Sequence, residues 1–270
     1  MVRDITLGQY VPEKSLIHRM DARAKILLLL MILVFIFVCR NFISLVTISL
    51  FSLVIILMTK ISIVKYLKSL KAVFVIVILT GILNLFYGSG DVIWQWQFLR
   101  ITWGGINNAI FTAVRISVMV MVSSVLTYTT SPTDLTDGLE RIMKPLKIFR
   151  VRVHEIAMVM TIALRFIPVL LEETDKIMNA QKARGADMEN GNIFRRVKAL
   201  VPVLIPLLVS SFRRAGDLAM AMECRCYNGG NGRTRMKIMH FSLTDLFAAI
   251  TSFLVFGAVI YFNMAYPAVV

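Results

Sequence analysis

Long apolar runs constrain this chain more than any other feature of its sequence. Between Lys25 and Lys60 the only charged side chain is Arg40, and three further apolar runs follow. A helix of about 20 apolar residues spans a bilayer. Of the 270 residues 57% are hydrophobic and 17% are charged, against about 45–50% and about 25% in soluble domains. The chain is therefore predicted to be a multi-pass membrane protein.

The predicted fold is an all-α integral membrane protein. It has about five transmembrane helices and three further helices in or beneath the interface. Arg40 and Asn41 divide the first run into a short hairpin, because neither residue suits the apolar core. The five predicted spans are Ile26–Cys39, Phe42–Thr59, Ala72–Tyr87, Ile106–Tyr128 and Phe241–Phe262.

The basic residues orient these spans. Residues 1–25 hold five Lys and Arg, residues 60–71 hold four and residues 128–240 hold eighteen, out of 30 in the chain. Five spans place all three stretches on one side of the membrane, and basic loops mark the cytoplasmic side. We therefore expect a cytoplasmic N-terminus and an external C-terminus. The net charge of +14 is explained in this way without a nucleic-acid partner.

The basic segment 129–240 is predicted to be a region of its own, between a four-span region at 1–128 and the last span at 241–270. Its helices are expected at 131–150, 153–184 and 193–225. The first begins at Ser131, a good N-cap. Proline is expected to interrupt the second helix at Pro168 and the third at Pro202 and Pro206. Counting the short apolar runs 156–164 and 200–209 as spans gives seven helices with the same orientation, so five is preferred while seven stays open.

The second and third of these helices end alike. Each carries a proline, continues for several turns and finishes with an arginine, Arg184 or Arg225. Residues seven apart share a helix face, so each arginine extends a partly apolar stripe. One such arginine is explained by the helix dipole, at about 0.3–1 kcal/mol. Two similar endings in one chain favour a pair of docking points on a duplicated partner.

Several motifs together resemble a known family over nearly the whole chain. They are Gly8–Pro12, Ser15–Lys25, Leu164–Pro168, Ala180–Gly185, Arg214–Glu223 and Gly232–Arg235. The chain resembles the transmembrane scaffold subunit of energy-coupling factor (ECF) transporters, the EcfT/CbiQ-like family. The resemblance implies a non-catalytic coupling subunit of an ABC-type importer in a bacterial or archaeal cell membrane. Its three basic-region helices would then be coupling helices.

The resemblance also implies partners and site residues. Two cytoplasmic ATPases, which bind ATP and Mg²⁺, would dock on two Ala-Arg-Gly signatures, and a membrane S subunit would capture a vitamin or another micronutrient. The second signature departs from the pattern, because Cys226 stands at its glycine position and disfavours a left-handed cap. The expected ATPase-docking residues are Ala183, Arg184, Gly185, Glu223 and Arg225. The apolar face expected to hold the S subunit includes Leu139, Met160, Pro168, Leu204 and Pro206.

Two other functional classes have weaker support in the sequence. An intramembrane enzyme could use His154 with Glu155, or His18 with Asp21, but neither pair belongs to a His-Glu-x-x-His site or a carboxylate cluster. A channel could be lined by Arg115, although the one other charge in the predicted spans is Asp245, near the start of the last span, and a single arginine lines no relay of charges. No cofactor or metal site is predicted in this chain.

Glycine and cysteine motifs add no further site to the prediction. The chain lacks a P-loop for ATP. The segment Asn228–Arg233 is read as a flexible connection rather than a phosphate nest. Cys39, Cys224 and Cys226 are read as reduced thiols.

Overall fold

The computed structural model describes residues 10–87, 92–96, 99–186, 193–229 and 240–266. Over these ranges the chain is almost entirely helical, and the predicted all-α membrane class is confirmed. Two short antiparallel strands, β1 and β2, pair between the third and fourth predicted spans, where a cytoplasmic N-terminus predicts an external loop. The elements are α1 Leu16–Arg19, α2 Ala22–Val38, α3 Phe42–Met58, α4 Ile63–Tyr87, β1 Val92–Trp96, β2 Leu99–Thr102, α5 Trp103–Thr129, α6 Pro132–Ile142, α7 Val153–Ala183, α8 Ile193–Cys224 and α9 Leu243–Ala265.

Five helices in the described ranges are long and apolar enough to cross a membrane: α4, α5, α7, α8 and α9. Three of them contain predicted spans, while α7 and α8 were assigned to the interface. The first two predicted spans form the 17-residue helices α2 and α3, which reach about 25 Å at about 1.5 Å per residue. Length and apolarity therefore allow either five or seven crossings.

Helix α4 begins nine residues before the predicted start of its span, at Ile63 instead of Ala72. The added turns contain Lys65, Lys68 and Lys71. Lysine is a good helix former, so charged side chains end an apolar run without ending the helix. The prediction located the apolar run and missed the helical extension before it.

The chain divides into two compact units, one of residues 8–138 with 237–270 and the other chiefly of residues 139–236. In the first unit, α2, α3, α5 and α9 pack around an apolar core. The rings of Phe35 in α2 and Phe256 in α9 stack with centroids 4.0 Å apart. Phe111 of α5 is fully buried against the ring edge of Phe42. Aromatic contacts of this kind add to the stabilisation from burial.

Hydrogen bonds hold the segment before α2 in place. The Nε2 of His18 lies 3.0 Å from the carbonyl of Val11, and its Nδ1 lies 2.7 Å from the hydroxyl of Ser15. A neutral ring can donate through one nitrogen and accept through the other. Burial lowers the pKa of His18, which favours this neutral form. The carboxylate of Asp21 binds the guanidinium of Arg23. The ring of His18 bonds to Ser15 and Val11 instead of Asp21, so the acid–base pair considered for these two residues is not formed.

At the opposite end of α2, Arg115 has a structural contact. Its guanidinium donates to the carbonyl of Cys39, the C-cap residue of α2, and lies 4.5 Å from the centroid of the Phe111 ring. A cation at a helix C-terminus is stabilised by the helix dipole. The contact accounts for the presence of Arg115 within α5 without a pore.

The second unit contains the end of α6, a 3-10 turn at Lys144–Phe149, and helices α7 and α8. The predicted interruptions at Pro168, Pro202 and Pro206 are wrong, because α7 and α8 run continuously through them. Each proline removes one backbone donor, and the rest of each 31- or 32-residue helix remains intact. The N-cap of α6 is Ser131, as predicted, since the amide of Asp134 donates to Ser131 Oγ at 3.1 Å.

Candidate functional site

The ends of α7 and α8 have the same backbone geometry. At the end of α7 the amide of Ala186 donates to the carbonyl of Gln181 at 3.0 Å, and the amide of Gly185 to that of Lys182 at 2.9 Å. This nested pair of bonds is a Schellman motif. It requires a left-handed residue after the helix, and Gly185 has φ of 87°. Arg184 is the last residue before that turn.

The end of α8 repeats this motif. The amide of Tyr227 donates to the carbonyl of Met222 at 3.0 Å, and the amide of Cys226 to that of Glu223 at 2.8 Å. Cys226 takes the glycine's place with φ of 53°. Cysteine disfavours this conformation, yet the two nested bonds hold the residue in the left-handed region, so the second signature keeps the backbone geometry of the first. Arg225 occupies the position equivalent to Arg184.

The backbone strain at Cys226 gives a prediction about stability. A left-handed conformation costs a non-glycine residue about 1–2 kcal/mol, whereas glycine adopts it freely but loses more entropy on folding. We expect Cys226→Gly to stabilise the protein by up to about 1 kcal/mol. Gly185→Ala, at the matching position, should destabilise it by about 1 kcal/mol. Thermal unfolding of the purified protein measures both, and equal unfolding temperatures would show that the turns carry no strain.

All five predicted docking residues are exposed: Ala183, Arg184, Gly185, Glu223 and Arg225. Neither arginine forms a salt bridge within the described part of the chain. Guanidinium groups are strong bidentate donors to carboxylates. The two helix ends therefore present two similar charged tips that are available to another molecule.

An ion pair that the sequence analysis missed joins the two helices. Arg214 Nη2 of α8 lies 2.7 Å from Glu173 Oε2 of α7, and the two side chains are 39% and 22% exposed. Arg184 follows Glu173 by 11 residues, and Arg225 follows Arg214 by the same number. Eleven residues make about three helical turns and about 16 Å. By this spacing each terminal arginine falls on the same side of its helix as that helix's member of the ion pair, about three turns further along.

The residues expected to hold an S subunit lie in the same unit and are mostly exposed. Met160 on α7 and Leu204 on α8 are 39% and 54% exposed. Pro168 and Pro206 are exposed, and Leu139 is half-buried. Around Leu204, α8 presents one continuous apolar face, formed by Val201, Leu204, Ile205, Leu208 and Phe212. Such a face requires a partner or lipid to cover it.

The structure separates the second predicted acid–base pair. His154 Nδ1 lies 3.1 Å from Glu140 Oε1, while Glu155 lies 3.4 Å from Arg152. Among the described residues no group of three His, Cys, Asp or Glu side chains is placed to hold a metal ion. Of the motif residues, Gly8, Gln9 and the segment 232–235 lie outside the described residues.

Comparison with known proteins gives consistent matches over almost the full length. A family model, CbiQ, described as cobalt transport protein, matches residues 13–238. "Energy-coupling factor transporter transmembrane protein EcfT" of Ruminiclostridium cellulolyticum is 51% identical over 246 residues, covering 91% of this chain and 92% of the relative. The protein of the same name from Clostridium kluyveri is 49% identical over 252 residues, covering 93% of each chain. The Bacillus subtilis protein is 40% identical over 266 residues, covering 98% of this chain and all of the relative.

Proposed function

Because this chain belongs to the family of energy-coupling factor transporter transmembrane proteins, we propose that it couples two cytoplasmic ATPases to a substrate-capturing S subunit. The chain is a multi-pass membrane component of a transporter and not an enzyme. In the proposed complex the ATPases bind ATP and Mg²⁺, and the S subunit selects a vitamin or another micronutrient. ATP-driven movement of the ATPases then reaches the S subunit through α7 and α8.

The observation that carries this proposal is the repeated helix end. Two arginines stand at equivalent positions of two Schellman motifs, each 11 residues after its own helix's member of the Glu173–Arg214 ion pair. A helix dipole alone would account for a basic residue near each end, but it would not account for the matched spacing. Two equivalent docking points suit a partner that is present in two similar copies.

The ion pair is proposed to set the spacing of the two tips. Glu173→Arg places two positive charges together, so we expect about a two- to fivefold loss of ATPase binding, the range typical of a partly exposed pair. Combining it with Arg214→Glu should restore binding, because the pair reforms with its charges exchanged. Recovery of ATPases with the tagged chain gives the measurement.

Glu172→Arg is the matched control for this experiment, since Glu172 is an exposed neighbour with the same change of charge. It should leave ATPase recovery unchanged. If the Glu173→Arg, Arg214→Glu double variant recovers as little ATPase as Glu173→Arg alone, the ion pair does not position the helix ends.

The N-terminus is proposed to lie in the cytoplasm, as the basic residues favour. In the five-crossing arrangement, which we propose for this chain, α7, α8 and their arginines lie on that same side, where the ATPases would bind. A single cysteine is introduced by Lys14→Cys in a variant whose three native cysteines are replaced by serine. It should react with a membrane-impermeant maleimide only after the cells are opened. Labelling in intact cells would place this end outside and contradict the proposal.

A further inference from the structure

Two cavities of opposite character adjoin in the unit formed by residues 8–138 and 237–270. One, of about 400 Å³, lies among α2, α3, α5 and α9 and is lined mainly by apolar side chains. The other, of about 220 Å³, is lined mainly by polar side chains, including Arg19 and Asp134. Met20, Lys25 and Thr129 line both cavities. The arrangement is that of a site for one amphiphilic molecule.

The apolar cavity opens on the outer surface of two apolar helices. Of its lining residues, Val54 and Met58 on α3 are 46% and 44% exposed, and Phe247 on α9 is 66% exposed. In a multi-pass membrane protein, apolar helix surfaces that face outward meet the acyl chains of lipid. An acyl chain can therefore enter this cavity directly from the bilayer.

The polar cavity lies where the helices end. Lys25 is in the first turn of α2, Thr129 is the last residue of α5, and His240 precedes α9. The ends of membrane helices lie at the depth of lipid headgroups. In the bilayer, the polar cavity therefore lies at the depth of the lipid headgroups, and the apolar cavity lies at the depth of the acyl chains.

Lys25 stands at the junction, where its Nζ hydrogen-bonds to backbone and hydroxyl oxygens. The side chain is buried, and Nζ donates to the carbonyl of Thr129 at 2.9 Å. Longer contacts of 3.4 Å reach the carbonyl of His18 and the hydroxyl of Thr130. All of these acceptors are neutral. A buried ammonium is stabilised much more by an anionic acceptor than by neutral ones.

The carboxylates of Asp134, Asp245 and Asp21 stabilise the charge of Lys25 without a salt bridge to it, and their hydrogen bonds are formed with other groups. Asp21 binds the guanidinium of Arg23, with Nε 3.1 Å from Oδ2. Asp245 accepts the amide of Asp21 at 3.2 Å and the amide of Ser242 at 2.8 Å. Asp134 accepts the hydroxyl of Ser131 at 2.8 Å. Among the described residues no carboxylate forms a salt bridge with Lys25, so its ammonium can take an anionic acceptor, and the exposed Arg19 adds a second cation to the lining.

We propose that these two cavities bind one anionic phospholipid, with its phosphate against Lys25 and one acyl chain in the apolar cavity. Free phosphate would use only the polar half of the site. The apolar cavity and its opening between α3 and α9 favour the lipid. This site is separate from the arginine tips and does not depend on the function proposed for them.

Native mass spectrometry of the delipidated, intact transporter complex tests the proposal, with phosphatidylglycerol as the probe. We expect one tightly bound phosphatidylglycerol at this site and weaker binding of phosphatidylcholine. Lys25→Met should weaken phosphatidylglycerol binding by about tenfold or more, as for loss of a hydrogen bond to a charged group. Lys25→Arg, which keeps the charge, should bind it more tightly than Lys25→Met.

A second variant tests the apolar half without removing Lys25. Ala248→Trp fills the apolar cavity and should reduce phosphatidylglycerol binding. Ile250→Trp is its control on α9, because Ile250 is exposed and does not line the cavity. Unchanged binding in both Lys25→Met and Ala248→Trp would overturn the proposal. So would displacement of the lipid by an equal concentration of inorganic phosphate, or binding only after the S subunit is removed, which would assign the cavity to that partner.

Discussion

Replacing Arg184 and Arg225 together by alanine is expected to dissociate the ATPases and abolish ATP-driven uptake, while the membrane helices stay folded. Truncating one member of a desolvated charged pair costs about 2–5 kcal/mol. If the two ends act independently, the double variant loses about a thousandfold or more in affinity for the ATPase pair. Each single variant should weaken docking of one ATPase and remove most of the coupled uptake. Pull-down of the ATPases and uptake in proteoliposomes measure the two effects.

Lysine at these positions should give an intermediate result, since the charge remains and the bidentate fork is lost. Arg213→Ala is the matched control, because Arg213 is exposed on the same helix and lies away from its end. It should leave both measurements unchanged. Full uptake and normal ATPase recovery in the double variant would show that the two arginines serve only as helix caps.

Glutamate at both Leu204 and Leu208 is expected to remove the S subunit from the complex and stop uptake. The two side chains are 54% and 57% exposed on the apolar face of α8. Burying two unpaired carboxylates in an apolar contact costs several kcal/mol, so the contact should not form. ATPase recovery should stay normal, which shows that the variant is folded and inserted.

Met220→Glu provides the control for this face. Met220 is 68% exposed on the same helix, nearer to the arginine tip, and its substitution should leave the S subunit bound. Normal recovery of the S subunit with the double variant would assign the apolar face of α8 to lipid instead of to the partner.

Much of the helical architecture followed from the sequence because its signals are local. Helices predicted at 153–184 and 193–225 are observed at Val153–Ala183 and Ile193–Cys224. Their ends coincide with basic residues and with glycine or cysteine at the left-handed position. The start of α4 was missed because only its apolar part was counted. The prolines in α7 and α8 were expected to interrupt these helices, because each removes one backbone hydrogen bond. The many backbone hydrogen bonds that remain in each helix are enough to keep it continuous.

The candidate site was predictable in its residues and not in its geometry. The arginines were found from their repeated position in the sequence. The left-handed turn at Cys226 depends on two nested hydrogen bonds, which outweigh the preference of a single residue. The Glu173–Arg214 pair joins residues 41 positions apart, and no periodic pattern in the sequence connects them. The cavities at Lys25 likewise depend on how four helices pack.

Site-directed photocrosslinking tests most directly whether the ends of α7 and α8 dock on the two ATPases. For α8, a benzophenone is attached to Cys226 in a Cys224→Ser variant. For α7, it is attached to a cysteine introduced by Ala183→Cys, with Cys224 and Cys226 both changed to serine. Both probes are placed in the intact complex with ATPases and S subunit present. We predict a crosslink from each probe to an ATPase, which is lost when the neighbouring arginine is changed to alanine. Crosslinks from both probes only to lipid, to the S subunit or to this chain itself would contradict the account.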